Sequence, residues 1–384
     1  MPPRRFWPLC ALLTACASPG PRPELADAAT LPSNELSSDE QRTLAVEVDR
    51  AMAAVVQRNY DAARNHANTT LTLDPRNARA RAVLGMVMLQ EASLVDPPDL
   101  PQSQQAEREL RLAEQLAPDD PFVGWMHAVF LAETGHMSAA AAAAERALAR
   151  TSSSTPIGER AALYGIAGTY RYELGEERAA LPHLQTYSSL RSDDATSFFR
   201  LGSCLLRIAA VPQGLHPLEG AKVHAVDAAR AFERCVELAP GDEDADLAVA
   251  TAWWRAAELA KELGSSDRQQ LVDATRTRLR AIAGRFPASA EPWFRLGVVA
   301  EGAENAADAD ACYREALRRN PRHIGSLLNL AHRLDKQGDH GAATTLLQQV
   351  LSVDAAADCL SPDERIRLRA RINGGGASQM PRML

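Results

Sequence analysis

The stretch from 288 to 321, ASAEPWFRLGVVAEGAENAADADACYREALRRNP, decides the fold. Its pattern of large and small residues recurs 34 places later. Trp293, Leu296, Gly297, Ala309, Tyr313 and Ala316 are answered at that spacing by Leu327, Leu330, Ala331, Ala343, Leu347 and Val350. Size class is kept at each place, and only Pro321 is lost, to Ala355. A period of about 34 residues marks a helix–turn–helix repeat. Small Gly297, Ala309 and Ala316 let its helices approach closely, and large Trp293, Leu296 and Tyr313 fill the space between. Pro321 lacks an N–H and ends the second helix. Neither helix of such a unit buries its apolar face alone, so stacked neighbours share one core.

The same register runs upstream. Ala63, Ala67 and Pro75 carry it in 44–77, though Glu47 stands where a large aromatic is usual. Leu84-Gly85, Ala106, Leu110 and Pro118 carry it in 78–118, and Trp125, Ala128, Ala140 and Ala147 in 119–152. Gly168, Ala180 and Leu184 follow in 161–194, then Gly202, Ala228, Phe232, Cys235 and Pro240 in 195–240. Residues 243–287 read as a longer, degenerate pair, and 288–321 and 322–354 complete about eight units. Ser38 to Gln41 and Ser361 to Glu364 read as capping boxes. The first helix is therefore expected to start near Asp39, and 361–373 to form a cap before the loose tail 374–384. Two units are overlong, through 91–104 (with Pro97, Pro98 and Pro101) and 209–223 (with Pro212 and Pro217). Both insertions are expected as projections between the two helices of a unit.

The run Trp293-x-x-Leu296-Gly297, with Ala309-x-x-x-Tyr313-x-x-Ala316 and Pro321, resembles the tetratricopeptide repeat family. That resemblance implies an all-α fold: a right-handed superhelical solenoid of about eight helix–turn–helix units plus a C-terminal capping helix. It also implies a role in binding other proteins, without catalysis. In the family, first helices line a concave groove that takes the partner. The matching positions here are Trp125 and Met126, Phe199, Arg200 and Arg207, Phe294 and Arg295, and Asn329, His332 and Lys336. Arg200, Arg207, Arg295, Asn329 and Lys336 resemble the groups with which chaperone-binding members grip a carboxylate, but the family's full set is missing.

The chain opens on a targeting segment. Arg4 and Arg5 precede the apolar run Phe6 to Leu13, which is too short to span a bilayer and reads as a signal peptide over 1–15. Leu13-Thr14-Ala15-Cys16 resembles the bacterial lipobox, which implies a lipid anchor on Cys16. Ala17 follows where an Asp favours inner-membrane retention, so outer-membrane sorting facing the periplasm is expected. Residues 16–38 are rich in Pro, Ala and Ser and read as a tether with a root-mean-square span of roughly 25 Å. The lipid then holds the chain to the membrane.

Losing 1–15 removes two arginines and no acid, which takes the formal charge from −7 to −9. That excludes a general nucleic-acid binder, which needs a basic stripe. No phosphate loop, no H-E-x-x-H, no nucleophile elbow and no dinucleotide fingerprint occurs. No cofactor or metal is expected. His323, His332 and His340 do not share one helix face, and Cys204, Cys235, Cys312 and Cys359 lack zinc spacing. Cys204 and Cys235 fall on the two helices of one unit, where either a disulfide or small-residue packing fits. Trp253-Trp254 reads as a core aromatic beside a half-buried neighbour, or else as a partner anchor. The expected function is a membrane-tethered scaffold or assembly factor that binds an envelope protein. The alternative is an accessory module positioning a glycan or peptidoglycan enzyme, or a glycan-binding solenoid.

Overall fold

The computed structural model describes residues 28–94, 100–358 and 360–373. The signal segment, Cys16, most of the tether, Pro97 and Pro98, Cys359 and the tail from 374 lie outside the described residues. Among the described residues there are seventeen α-helices, one short 3-10 turn at Ala28–Thr30 and no strand. The chain divides after Ser192 into two compact units.

In the first unit α1 (Ser38–Val56) pairs with α2 (Tyr60–Leu73), and α3 (Ala78–Ser93) with α4 (Leu100–Leu116). Next come α5 (Pro121–Glu133) with α6 (Met137–Leu148), and α7 (Ile157–Glu173) with α8 (Glu177–Leu190). Helices α1, α3, α5 and α7 also touch in succession, so the first helices of the pairs form a continuous layer. The second unit pairs α9 (Ala195–Ala210) with α10 (Pro217–Leu238), and α11 (Glu243–Glu262) with α12 (Arg268–Arg285). It continues with α13 (Glu291–Gly302) and α14 (Ala306–Arg319), then α15 (Ile324–Lys336) and α16 (His340–Ala357). α17 (Pro362–Ile372) lies on α16 and buries only Leu368.

Helix starts follow local chemistry. Asn59, Asn77, Asp120, Asp194, Asp242, Asn305 and Asp339 each accept a backbone N–H of the first turn. Ser361 forms a full capping box with Glu364. At the other end the box is built on Ser37, not Ser38, and α1 starts at Ser38. Glu40 sets the register: its Oε2 accepts the Ser37 N–H at 2.8 Å, which requires the capping serine three places upstream.

The repeat's close approach is a glycine under a large side chain of the paired helix. Gly297 lies beneath Tyr313, Gly202 beneath Phe232, Gly168 beneath Leu184 and Gly85 beneath Leu110. The two overlong units keep this contact, so their extra residues leave the packing intact. The extra residues of 209–223 do not project as a long loop. In 209–223 the connection is only 211–216, and the rest is the first part of the 22-residue α10. In 91–104, Glu91 to Ser93 extends α3, and α4 begins at Leu100. Continuing a helix satisfies backbone N–H and C=O groups that an extended loop would leave to water. Cys204 and Cys235 form no disulfide, and both are buried between α9 and α10.

Candidate partner-binding pocket

In the second unit, α11, α12 and α13 enclose a pocket of about 80 Å³. α11 supplies Ala250, Thr251 and Trp254, and α12 supplies Thr275 and Leu279. α13 supplies Glu291, Phe294, Arg295, Val298 and Val299, with positions 291, 295 and 298 following helical spacing along one face. A single water needs roughly 10–15 Å³ on this measure, so the pocket has room for one aliphatic side chain. Trp254 forms one wall because α13 ends in Gly302. A Cβ there would lie 2.5 Å from the indole ring, so only glycine lets the ring settle on the backbone.

The rim is a chain of hydrogen bonds. The Ser326 N–H donates to His323 Nδ1 at 3.1 Å, which leaves Nε2 as the donating nitrogen. His323 Nε2 lies 3.2 Å from Glu291 Oε2. Arg295 Nε donates to the other carboxylate oxygen, Oε1, at 2.8 Å, and Nη1 donates to Thr251 Oγ1. The Thr251 hydroxyl donates onward to the Leu247 carbonyl at 2.8 Å. The guanidinium is thus fixed from two sides and still one-third exposed. Burial pushes the Glu291 carboxyl up, but the His323 hydrogen bond and the Arg295 charge outweigh it, so its pKa lies below the ordinary value. Thr275 is fully buried and spends its hydroxyl on the Leu271 carbonyl at 2.8 Å.

The structure brings two of the ten sequence-selected groove positions, Phe294 and Arg295, together at this pocket. Phe294 is 7% exposed and sits 5.0 Å from the His323 ring and 6.1 Å from Tyr313, so it is a wall and not an open anchor. Two further expectations are corrected. Met126 is buried in the first unit's core. Asn329 is buried as well, and its Nδ2 donates to Tyr313 Oη at 3.2 Å. Both face helix packing because the first-helix stripe that touches a neighbour is wider than the repeat pattern suggests. Trp125 is half-buried edge-on to Phe122, with ring centroids 5.8 Å apart. Phe199 is half-buried against Phe232 at 5.4 Å. Arg200 and His332 are half-buried, and Arg207 and Lys336 are exposed on their helices.

Sequence reasoning missed the α11 and α12 side of the pocket, because 243–287 matched the repeat poorly. It also missed Glu291, although Glu291 and Arg295 stand at the four-residue spacing of a helical ion pair. Of the tryptophan pair, Trp253 packs on the core and donates Nε1 to Glu233 at 3.2 Å, while Trp254 lines the pocket.

Residues 290–323 match the tetratricopeptide repeat family model. The matched repeat contains α13 and α14 and hence one wall of the pocket. No curated protein matches the chain. Among solved structures the chain is similar to PilF of Pseudomonas aeruginosa at 15% identity, covering 64% of this chain and 94% of that one, with a TM-score of 0.41. It is similar to MamA from Desulfovibrio magneticus RS-1 at 17% identity, 53% and 99% coverage and a TM-score of 0.39. YrrB, described as a TPR protein with an unusual peptide-binding site, is 19% identical over 57% of this chain and 95% of that one, with a TM-score of 0.42.

Proposed function

We propose that this protein is a non-enzymatic scaffold of the bacterial envelope that holds a partner protein at the α11–α13 pocket. The observation that carries this reading is the pocket itself: apolar walls of Trp254, Phe294, Val298 and Val299 beneath one fixed, partly exposed guanidinium. Protein partners are commonly held by one buried anchor side chain with a polar contact at its edge. The anchoring half of the proposal rests on sequence. Leu13-Thr14-Ala15-Cys16 supports a lipid on Cys16, and Ala17 supports sorting to the outer membrane. The acidic balance of the chain leaves the lipid, and not basic side chains, as the membrane contact.

The test is capture of the full-length protein from gently solubilised native membranes, with mass spectrometry of what co-purifies. One envelope protein is expected in stoichiometric amount. It should be lost from the membrane fraction with Cys16→Ala and lost altogether with Val298→Trp, which fills the pocket. A partner retained at full yield by Val298→Trp would place the docking site elsewhere.

A further inference from the structure

The rim chemistry also defines what the pocket reads, granted that a partner docks there. We propose that the occupant is an uncharged, extended segment of the partner. It would set one branched aliphatic side chain in the pocket and one amide carbonyl against Arg295.

Polar capacity at the rim is spent almost entirely. Both Glu291 oxygens are taken, one by Arg295 Nε and one by His323 Nε2. Thr251 both accepts and donates, and Thr275 donates into its own helix. Among the described residues, the donor capacity left at the pocket is that of Arg295, at Nη2 and the second hydrogen of Nη1, and of the Trp254 indole N–H. The occupant must therefore bring an acceptor.

Charge decides which acceptor. The pocket is lined by one arginine and one glutamate, and these already pair at 2.8 Å. His323 accepts the Ser326 N–H at Nδ1 and turns Nε2 to Glu291. The Arg295–Glu291 pair itself carries no net charge. A carboxylate set against Arg295 would add an unbalanced negative charge beside Glu291, in a half-buried site where such a charge is costly. A peptide carbonyl accepts the same hydrogen bonds without that cost. Arg295 is thus built as a neutral-carbonyl reader, in contrast to the carboxylate grip that arginines at groove positions first suggest. The 80 Å³ interior, walled by the apolar side chains of Ala250, Leu279 and two valines, then selects a branched aliphatic side chain.

The probe is a displayed library of random peptides about 12 residues long, panned against the detergent-solubilised full-length chain, with Val298→Trp as counter-selection. Enriched peptides should share a Val, Ile or Leu in an uncharged context. Their affinity should change by less than about twofold between low and high salt, and should fall by about tenfold or more in Val298→Trp. Gly302→Ala, which moves Trp254 without filling the pocket, should weaken the same peptides. Enrichment of acidic peptides whose affinity falls steeply with salt would overturn the proposal in favour of a carboxylate site. Failure to enrich any peptide, while capture of a native partner still depends on Val298, would also overturn it and leave the docking reading standing. Capture that ignores Val298→Trp would sink the docking reading instead.

Discussion

Gly297→Ala tests the packing rule that builds the fold. A Cβ on Gly297 would lie 2.6 Å from Tyr313 Cδ1 and 3.0 Å from Cζ. The tyrosine cannot withdraw. It is fully buried, its ring lies 6.1 Å from Phe294, and its hydroxyl is tied to Glu301 at 3.1 Å and Asn329 at 3.2 Å. Forcing a methyl into such a core costs about 1–3 kcal/mol. The helix preference for Ala over Gly returns about 1 kcal/mol, so the net effect is a loss of up to about 2 kcal/mol. Gly220 in α10 is the internal control, because a Cβ there meets nothing within 4 Å. Gly220→Ala should gain up to about 1 kcal/mol from the same helix preference. Urea unfolding followed by circular dichroism compares the two, and a third variant, Gly297→Ala with Tyr313→Leu, should recover part of the loss. If Gly297→Ala stabilises as much as Gly220→Ala, the close approach is not what holds the pair.

Three further predictions concern charge. Asp246 is fully buried between Arg278 and Arg285, whose side chains are 30% and 44% exposed, so Asp246→Ala should cost about 1–3 kcal/mol in thermal or urea unfolding while the arginines rehydrate. Glu159 is 7% exposed and its Oε2 has no hydrogen-bond partner among the described residues; Arg79 beside it is committed to Asp120 at 2.7 Å. Burial raises its carboxyl pKa, with Arg79 pulling it back only in part, so the folded state holds this proton more tightly than the unfolded chain. Stability from that group is present at low pH and lost as pH rises through the raised value. Glu159→Gln should therefore raise the unfolding midpoint at pH 7, and the gain should vanish at pH 4. Glu291 has the opposite sign: its lowered pKa contributes stability above the unfolded value of 4.5, lost as pH falls through the folded value. Comparing Glu291→Gln with the parent chain across pH 3–7 should show a gap that closes only at the acid end.

Much of the fold is legible because the repeat writes its own contacts. Gly297 and Tyr313 stand at positions whose sizes recur, and four pairs of that kind recover the same helix–helix contact. Ser361-Pro362-Asp363-Glu364 states a helix start in four residues, and α17 begins there. The sequence reading placed the first capping box one residue late, on Ser38, because it took Gln41 and not Glu40 as the residue that reaches back to the cap. The overlong units were harder to read. Pro217 looked like loop, yet proline is favoured in a first helical turn, where its missing N–H is not needed.

The pocket was half legible. Phe294 and Arg295 follow from repeat position, but the α11 wall does not, since 243–287 keeps little of the pattern. Repeat position also says which side of a helix a residue occupies, not how much a neighbouring helix covers it. That is why Met126 and Asn329 lie under packing while Arg295 keeps an exposed edge. The pairing of Arg295 with Glu291 and Thr251 balances its charge and fixes its direction, and only the three-dimensional arrangement of α11 and α13 reveals it.

The most direct test of the account is site-specific photocrosslinking in living cells, with a photoreactive amino acid placed at Val298 in the full-length chain. Arg318, 75% exposed on α14, serves as the comparison position. The account predicts one dominant adduct with an envelope protein from position 298 and little from 318. No adduct at 298, or the same adduct from both positions, would contradict it.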